Sequence, residues 1–115
     1  MHYLRAQFPN LWRADELPLA KNGTLVQVGG SVICRQRPGT AKGFVFISLE
    51  DESGVANVIV RPDLFEASRL VITQNPALVI DGAVQAQDGV IHVKAERISA
   101  LRAEDLPVQA SHDFH

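Results

Sequence analysis

Five segments of this chain have the length of a β-strand, and apolar and polar residues alternate most clearly in the first two. Successive side chains of a strand point to opposite sides of the sheet, so each alternating segment predicts one buried face and one exposed face. The predicted strands cover residues 25–36, 44–50, 55–60, 77–87 and 90–99. In the second of them, Val45, Ile47 and Leu49 alternate with Phe44, Phe46 and Ser48. The aliphatic set is suited to a core, which leaves the aromatic set on the opposite face.

Glycine, proline and asparagine separate these segments. Turns or loops are predicted at Asn22-Gly23, over residues 37–43 and 51–54, and at Asp88-Gly89. Gly29-Gly30 interrupts the first strand and predicts a bulge or a sharp bend there.

One short helix is predicted after the third strand. Pro62 ends that strand, and Asp63 with Glu66 three residues later has the form of a capping box, so a helix is expected over residues 64–73. Near the N-terminus, residues 1–8 are typical of a helix end, and Trp12 and Leu17 are typical of anchors that pack an arm onto other structure.

The order of three strands, a helix and two strands predicts an all-β fold with one short helix, the five-stranded Greek-key barrel called the OB-fold. The helix lies between strands 3 and 4. Gly29-Gly30 agrees with this fold, because its first strand must curl to serve both halves of the barrel. An SH3-like barrel has no natural place for such a helix. The predicted organisation is an N-terminal arm over residues 1–23, the barrel over 24–101 and a tail over 102–115, with one further turn over 101–106.

The composition is that of one soluble globular domain, with 115 residues, 46% apolar residues and 21% charged residues. No apolar run approaches the roughly 20 residues of a membrane helix, and no signal peptide is recognisable, so a cytoplasmic location without a membrane partner is expected. The single cysteine, Cys34, excludes an internal disulfide and a cysteine-based zinc cluster. Its place in a strand predicts a small buried side chain.

The charge is unevenly distributed, although the formal net charge is only −2. Residues 17–49 contain no Asp or Glu, and they contain Lys21, Arg35, Arg37 and Lys42. Because local charge determines phosphate binding more than the sum over the chain, this region predicts contact with nucleic acid. An ordinary solvated basic loop is the alternative.

The predicted binding site combines these cations with aromatic rings. OB-folds bind oligonucleotides across strands 2 and 3, between the first hairpin loop and the loop that joins strands 4 and 5. Rings stack on bases, and cations meet phosphates. The candidate nucleic-acid-binding residues are Arg35, Arg37, Lys42, Phe44, Phe46, Asn57, Arg61, His92 and Lys94.

Some of these residues have a structural alternative. Phe44 or Phe46 could cap an open end of the barrel or pack under the N-terminal arm with Trp12. Arg35 could pair with Glu50 or Glu52. His92 and Lys94 also fit an exposed polar strand face, whereas the amide of Asn57 is suited to reading a base edge.

Catalytic chemistry is not indicated. There is no nucleophile elbow, phosphate-binding glycine loop or metal-binding motif, and the four histidines lack the spacing of ligands. The acidic cluster at residues 50–52 predicts a solvated turn. The expectation is therefore a non-catalytic chain with no cofactor, no metal and no small-molecule substrate.

Two strings carry a resemblance to a known family. VICRQRPGTAKG at residues 32–43 and FISLEDESGVANVIV at residues 46–60 closely resemble the C-terminal OB-fold region of the bacterial C-family DNA polymerases, and in particular its error-prone members. HYLR at residues 2–5 and SHDFH at residues 111–115 are similar to the end of the preceding helical segment and to the C-terminus there. The likeness is strongest over residues 28–62. Arg61 departs from the pattern of the family, since these polymerases commonly carry Trp at the position before the proline. At this position a phosphate contact by Arg61 would replace base stacking by Trp.

The resemblance implies a parent enzyme that adds deoxynucleotides during damage-induced, error-prone translesion synthesis, with two metal ions bound by aspartates that this chain does not contain. It implies that the OB module meets single-stranded template DNA. The polymerase body and other mutasome proteins are the implied protein partners. The chain would then be an excised domain or a short reading frame derived from a longer gene.

Other functions remain open from the residues. The arginines, the outward phenylalanine and the polar amide also resemble the tRNA anticodon-binding OB domains of class II synthetases, for which a preference for RNA is expected. A protein-interaction barrel that docks on polymerase or mutasome partners fits the acidic balance and Trp12. An independent enzyme has the least support, because no convergent catalytic site is present.

Overall fold

The structure, a computed structural model, describes residues 11–39 and 42–101. Its elements are β1 (Leu11–Trp12), a 3-10 helix (Ala14–Leu19), β2 (Leu25–Gln36), β3 (Val45–Asp51), β4 (Gly54–Val60), α1 (Pro62–Ala67), α2 (Arg69–Gln74), β5 (Ala77–Gln87) and β6 (Val90–Ala100). The five predicted strands are confirmed, and the predicted bounds of β2 and β5 agree with the structure. The predicted helix end at residues 1–8 and the turn beyond residue 101 lie outside the described residues.

The strands form a closed barrel. They are hydrogen-bonded in the order β1-β2-β3-β4-β6-β5, and β2 also pairs with β5, which closes β2 to β6 into five strands. Neighbouring strands of the barrel are antiparallel except for β4 and β6, which are parallel. β1 is a sixth, two-residue strand that lies parallel to β2. This architecture confirms the predicted OB-fold.

The long strand β2 serves both halves of the barrel. Its residues 25–31 pair with β5, its residues 31–36 pair with β3, and Ser31 takes part in both pairings. At this crossing the backbones approach so closely that a Cβ atom on Gly30 would overlap the carbonyl of Glu50. Glycine is therefore required at position 30 for steric reasons.

The bulge of β2 lies further along the strand than Gly29-Gly30. The register shifts between Val32, which pairs with Leu49, and Cys34, which pairs with Ser48. Val32 and Cys34 therefore point to opposite sides of the sheet, although strict alternation places them on the same side. The expectation of a buried Cys34 is wrong for this reason, and its side chain is half-buried on the outer side.

The core fills the inside of the barrel with aliphatic side chains, as the alternation predicts. Its members from the strands are Val26, Val28, Val45, Ile47, Leu49, Ala56, Val58, Val60, Leu78, Ile80, Val84, Val93, Ala95 and Ile98. Phe65 of α1 and Ile72 of α2 complete it from the helical connection. Side chains that are not part of this core occupy the opposite side of β2, β3, β4 and β6. We call this side the outer face.

The helical connection differs from the prediction in two ways. It consists of two short helices that are interrupted at Ser68, and Arg61 occupies the N-cap position without a side-chain cap. The predicted capping box at Asp63 and Glu66 is therefore wrong. Pro62 is the first helical residue, a position where its missing N–H costs nothing, and Asp63 lies in the first turn, where a carboxylate is favoured by the helix dipole.

The segment before β2 packs on the barrel. Leu17 is buried in the core, and Trp12 packs against that core. The prediction that both residues are anchors is therefore confirmed. The segment is also held through Asp51, at the end of β3, whose Oδ2 accepts the N–H of Ala14 at 2.9 Å. Oδ1 of the same carboxylate accepts the N–H groups of Ser53 and Gly54 at 2.7 and 3.1 Å. Asp51 thus ties the hairpin turn to the 3-10 helix.

We expect Asp51→Ala to lower the free energy of unfolding by about 2 kcal/mol, because several backbone donors lose a charged, half-buried acceptor. Urea denaturation measures this change. The neighbouring variant Glu50→Ala removes an exposed carboxylate and should stay within about 0.5 kcal/mol of the wild type. Equal stability of the two variants would contradict the structural role of Asp51.

Within residues 11–39 and 42–101, no helix has the length and apolar character needed to cross a membrane.

Candidate nucleic-acid interface

A continuous row of side chains crosses the outer face at right angles to the strands. Gln36 of β2 pairs with Phe46 of β3, Phe46 pairs with Ile59 of β4, and Ile59 pairs with Lys94 of β6. Paired residues share one side of a sheet, and Phe46 lies between the buried residues Val45 and Ile47, so all four side chains point outward. We call Gln36, Phe46, Ile59 and Lys94 the stacking row.

The two phenylalanines are surface residues. Phe46 and Phe44 are half-buried, and neither belongs to the core. Phe46 lies in the middle of the stacking row, whereas Phe44 immediately precedes β3. The ring of Phe46 therefore has an apolar neighbour, Ile59, on one side and the exposed amide of Gln36 on the other.

A second row runs beside the first and is polar. Cys34 pairs with Ser48, and Ser48 pairs with Asn57. The hydroxyl of Ser48 donates a hydrogen bond to Oδ1 of Asn57 at 3.3 Å. Asn57 is exposed, so its side-chain NH2 group faces solvent next to the stacking row.

Lys94 and His92 extend the outer face onto β6. Both lie on the same side of the strand, with the buried Val93 between them. Lys94 is exposed, and no hydrogen bond or ion pair joins its side chain to the rest of the described chain. His92 is half-buried opposite Gln85 of β5. Lys94 thus contributes an available positive charge at the end of the stacking row.

Arg37 and Lys42 lie in the loop between β2 and β3. Lys42 is exposed, with a positive φ of 55°. The guanidinium of Arg37 lies over the ring of Phe65, 5.1 Å from its centroid, and Nη2 is 3.8 Å from Oε2 of Glu66. Arg37 is therefore positioned by helix α1, and its charge is shared with a carboxylate.

We expect Glu66→Gln to strengthen the binding of a single-stranded oligonucleotide by about two- to fivefold at low salt, because it releases Arg37 and Arg69 from weak exposed ion pairs. Titration of the oligonucleotide measures the effect. Asp15→Asn changes the net charge equally and releases Arg13 at the 3-10 helix, and it serves as the control. The same gain in both variants would show that only net charge matters.

The sequence predicted that Arg35 is part of the binding site, but its side chain does not lie on the outer face. Beyond the bulge, Arg35 pairs with the buried Ile47, so its side chain leaves the sheet on the core side. Its Nε and Nη2 donate hydrogen bonds to the carbonyls of Ile72 and Asn75, at 3.1 and 3.3 Å. A cation at the C-terminal end of α2 is favourable, because the last carbonyls of a helix lack partners within it. No acidic residue of the 50–52 cluster is needed to explain its position.

We expect Arg35→Met to lower the free energy of unfolding by about 1 kcal/mol and to leave the affinity for single-stranded DNA within about twofold of the wild type. Lys94→Met should show the opposite pattern, with unchanged stability and an affinity several-fold weaker at low salt. Thermal unfolding and oligonucleotide titration of both variants test this contrast. An affinity loss at Arg35 that equals the loss at Lys94 would contradict the assignment.

Arg61 is engaged by two carboxylates. It contacts Asp63 at 3.1 Å and Glu96 at 3.2 Å, and it also donates a hydrogen bond to the carbonyl of Ala95. The hydrogen bond with Asp63 raises the pKa of Arg61. Burial acts to raise the pKa of Asp63, but hydrogen bonds from Arg61 and from the backbone of Leu64 outweigh it and lower that pKa. With its charge balanced in this way, Arg61 joins β4 to α1 and β6.

The sequence did not single out Gln36 and Ile59 as site residues. Neither residue type indicates nucleic-acid binding by itself, and each belongs to the stacking row only because it pairs with Phe46 on the neighbouring strand. The strand register was the signal that could have found them, because it pairs both residues with Phe46.

In the parts of the chain that the structure describes, no three His, Cys, Asp or Glu side chains lie close enough to hold a metal ion.

Comparison with known proteins identifies relatives of this chain. No protein-family model matches it. It is 53% identical over 91 residues to the error-prone DNA polymerase of Caulobacter vibrioides, in a match that covers 79% of this chain and 8% of the polymerase. It is 40% identical over 102 residues to that of Anaeromyxobacter sp. (strain K), which covers 89% of this chain and 9% of the polymerase.

The chain is homologous to one domain of the error-prone DNA polymerases. This confirms the family that the strings at residues 32–43 and 46–60 suggested. The chain spans less than a tenth of the length of these two polymerases. The homology therefore concerns a single segment of a much larger enzyme.

Solved structures confirm the fold. An OBody bound to hen egg-white lysozyme has a TM-score of 0.63 and 20% identity, over 78% of this chain and 91% of that one. The Stn1–Ten1 complex of S. pombe has a TM-score of 0.59 and 20% identity, over 70% of this chain and 60% of that one. Asparaginyl-tRNA synthetase from Pyrococcus horikoshii has a TM-score of 0.57 and 21% identity, over 71% of this chain and 20% of that one. At these identities the likeness establishes the OB-fold alone.

Proposed function

We propose that this chain is a non-catalytic OB module of an error-prone DNA polymerase and binds single-stranded DNA on its outer face. The observation that carries the proposal is the stacking row, in which an accessible aromatic ring and an exposed lysine lie on one line across three neighbouring strands. A ring offers a flat surface to any base, and a cation nearby attracts the phosphate that follows it. The homology to error-prone polymerases makes template DNA the natural ligand.

The roles of individual residues follow from their positions. Phe46 stacks on a base, and Ile59 widens the apolar surface beside it. Lys94 contacts phosphate on the β6 side, while Lys42 and Arg37 do so at the loop between β2 and β3. Phe44 and His92 border this path. We leave Arg35 and Arg61 out of the binding set, because backbone carbonyls and carboxylates engage them.

The wider setting is also part of the proposal. We place the binding module at residues 24–101, in a cytoplasmic enzyme that carries out damage-induced translesion synthesis. The body of that polymerase holds the catalytic centre and is the first protein partner, with other mutasome proteins as further partners.

Fluorescence anisotropy with a labelled dT oligonucleotide tests the proposal. Binding at low salt should weaken as salt rises, and two or three phosphate contacts predict a slope of about −1.4 to −2.1 in a plot of log affinity against log salt concentration. Absence of binding at low salt would overturn the proposal.

Two other functions make different predictions in the same experiment. The OBody was observed bound to a protein, lysozyme, so an OB barrel of this shape also suits protein docking. Docking predicts no oligonucleotide binding and partner binding that is insensitive to salt. An anticodon-binding role predicts tighter binding of an rU oligonucleotide than of the matching dU oligonucleotide, because the 2′-hydroxyl distinguishes the two.

A further inference from the structure

The polar row next to the stacking row contains a side-chain amide that is hydrogen-bonded to its neighbour on β3. Asn57 carries both an acceptor, Oδ1, and a donor, NH2, and a free amide can present either of them to a ligand. Here the hydroxyl of Ser48 donates to Oδ1 at 3.3 Å. The NH2 group is left as the outward part of the side chain, and Asn57 is exposed.

We propose that Ser48 holds Asn57 as a hydrogen-bond donor that selects keto bases over amino bases in single-stranded DNA. The 4-keto oxygen of thymine accepts a hydrogen bond from the NH2 group, whereas the 4-amino group of cytosine presents a donor to a donor. The same argument favours guanine, whose O6 is an acceptor, over adenine. An asparagine reads adenine with both its NH2 group and its Oδ1, and here Oδ1 is engaged by Ser48. This inference rests on the proposed function and adds base selectivity to it.

The geometry places the amide within reach of a stacked base. Phe46 pairs with Ile59, and Asn57 lies two residues from Ile59 on the same strand and the same face. Such diagonal neighbours across two strands are about 7–8 Å apart, a separation that large planar side chains can span. A base stacked on Phe46 therefore presents one edge toward Asn57. Cys34, the remaining member of the polar row, adds no competing strong donor or acceptor.

Affinities for dT and dC oligonucleotides of equal length test the inference. Both are pyrimidine strands with the same backbone, and the change of their ratio in the Asn57 variant separates the effect of the base edge from that of the thymine methyl group. The wild type should bind dT about three- to tenfold more tightly than dC, the effect of one net hydrogen bond. Asn57→Ala and Ser48→Ala should each bring the ratio to within about twofold, the first by removing the donor and the second by letting the amide rotate.

Ser99→Ala is the matched control, since Ser99 is an exposed serine on β6 that lies outside both rows. It should keep the wild-type ratio. Firm binding of both oligonucleotides with equal affinity would overturn the inference and leave the proposed function intact, and so would an unchanged ratio in Asn57→Ala. An unchanged ratio in Ser48→Ala alone would refute the orienting role of Ser48. Absence of binding to either oligonucleotide would overturn both proposals together.

Discussion

Replacement of Phe46 with alanine is expected to weaken the binding of single-stranded DNA by about 5- to 150-fold. This range corresponds to the loss of about 1–3 kcal/mol that follows removal of one stacked base–aromatic contact. Phe46 is the central member of the stacking row and lies outside the core, so the effect on folding should be small. Anisotropy titrations of wild type and variant at the same low salt concentration measure the loss.

Three further variants make this result specific. Phe46→Trp keeps a flat ring and should retain most of the affinity. Phe44→Ala should cost less than Phe46→Ala, because Phe44 precedes β3 and is not part of the stacking row. Leu70→Ala removes a side chain that is 65% exposed on α2, and it should leave binding unchanged. Wild-type affinity in Phe46→Ala would remove the main support for a stacking surface.

Gly30→Ala should have the largest effect on stability, with a loss of about 3 kcal/mol or more in the free energy of unfolding. The added Cβ would overlap the backbone carbonyl of Glu50, and a backbone atom cannot move aside as the end of a flexible side chain can. A domain is stable by only about 5–15 kcal/mol, so this variant should unfold at a far lower denaturant concentration or fail to fold.

Gly39→Ala provides the matched control. A Cβ at position 39 would meet no atom within 4 Å, and urea denaturation of this variant should resemble that of the wild type. Gly82→Ala should behave like Gly30→Ala, because its Cβ would overlap the carbonyl of Lys94. A wild-type midpoint for Gly30→Ala would mean that β2 does not pass between β3 and β5 as described.

The parts of the fold that the sequence predicted are those with a local signal. Alternation over residues 25–36 and 44–50 marks β2 and β3, because a strand with one buried face has a period of two. The order of the elements then determines the OB-fold. The rings of Phe44 and Phe46 were predictable for the same reason, since each alternates with a buried aliphatic residue.

The errors have their origin in long-range structure. One extra residue in β2 reverses the side on which Arg35 and Cys34 lie, and no local pattern marks that bulge. Arg61 finds its carboxylate partner on β6, at Glu96, which only the parallel pairing of β4 with β6 brings close. Gln36 and Ile59 joined the candidate site in the same way, through strand register. Local patterns thus predicted the outer face, and the register decided which residues share it.

The most direct test of the central claim is a map of the DNA-contacting residues. The measurement is the change in backbone amide chemical shifts of the ¹⁵N-labelled full chain on titration with a dT oligonucleotide. The account predicts that the largest changes cluster at Gln36, Phe46, Asn57, Ile59 and Lys94, with smaller ones at Arg35 and on the 3-10 helix. Changes that concentrate away from the outer face, or no changes at saturating oligonucleotide, would contradict it.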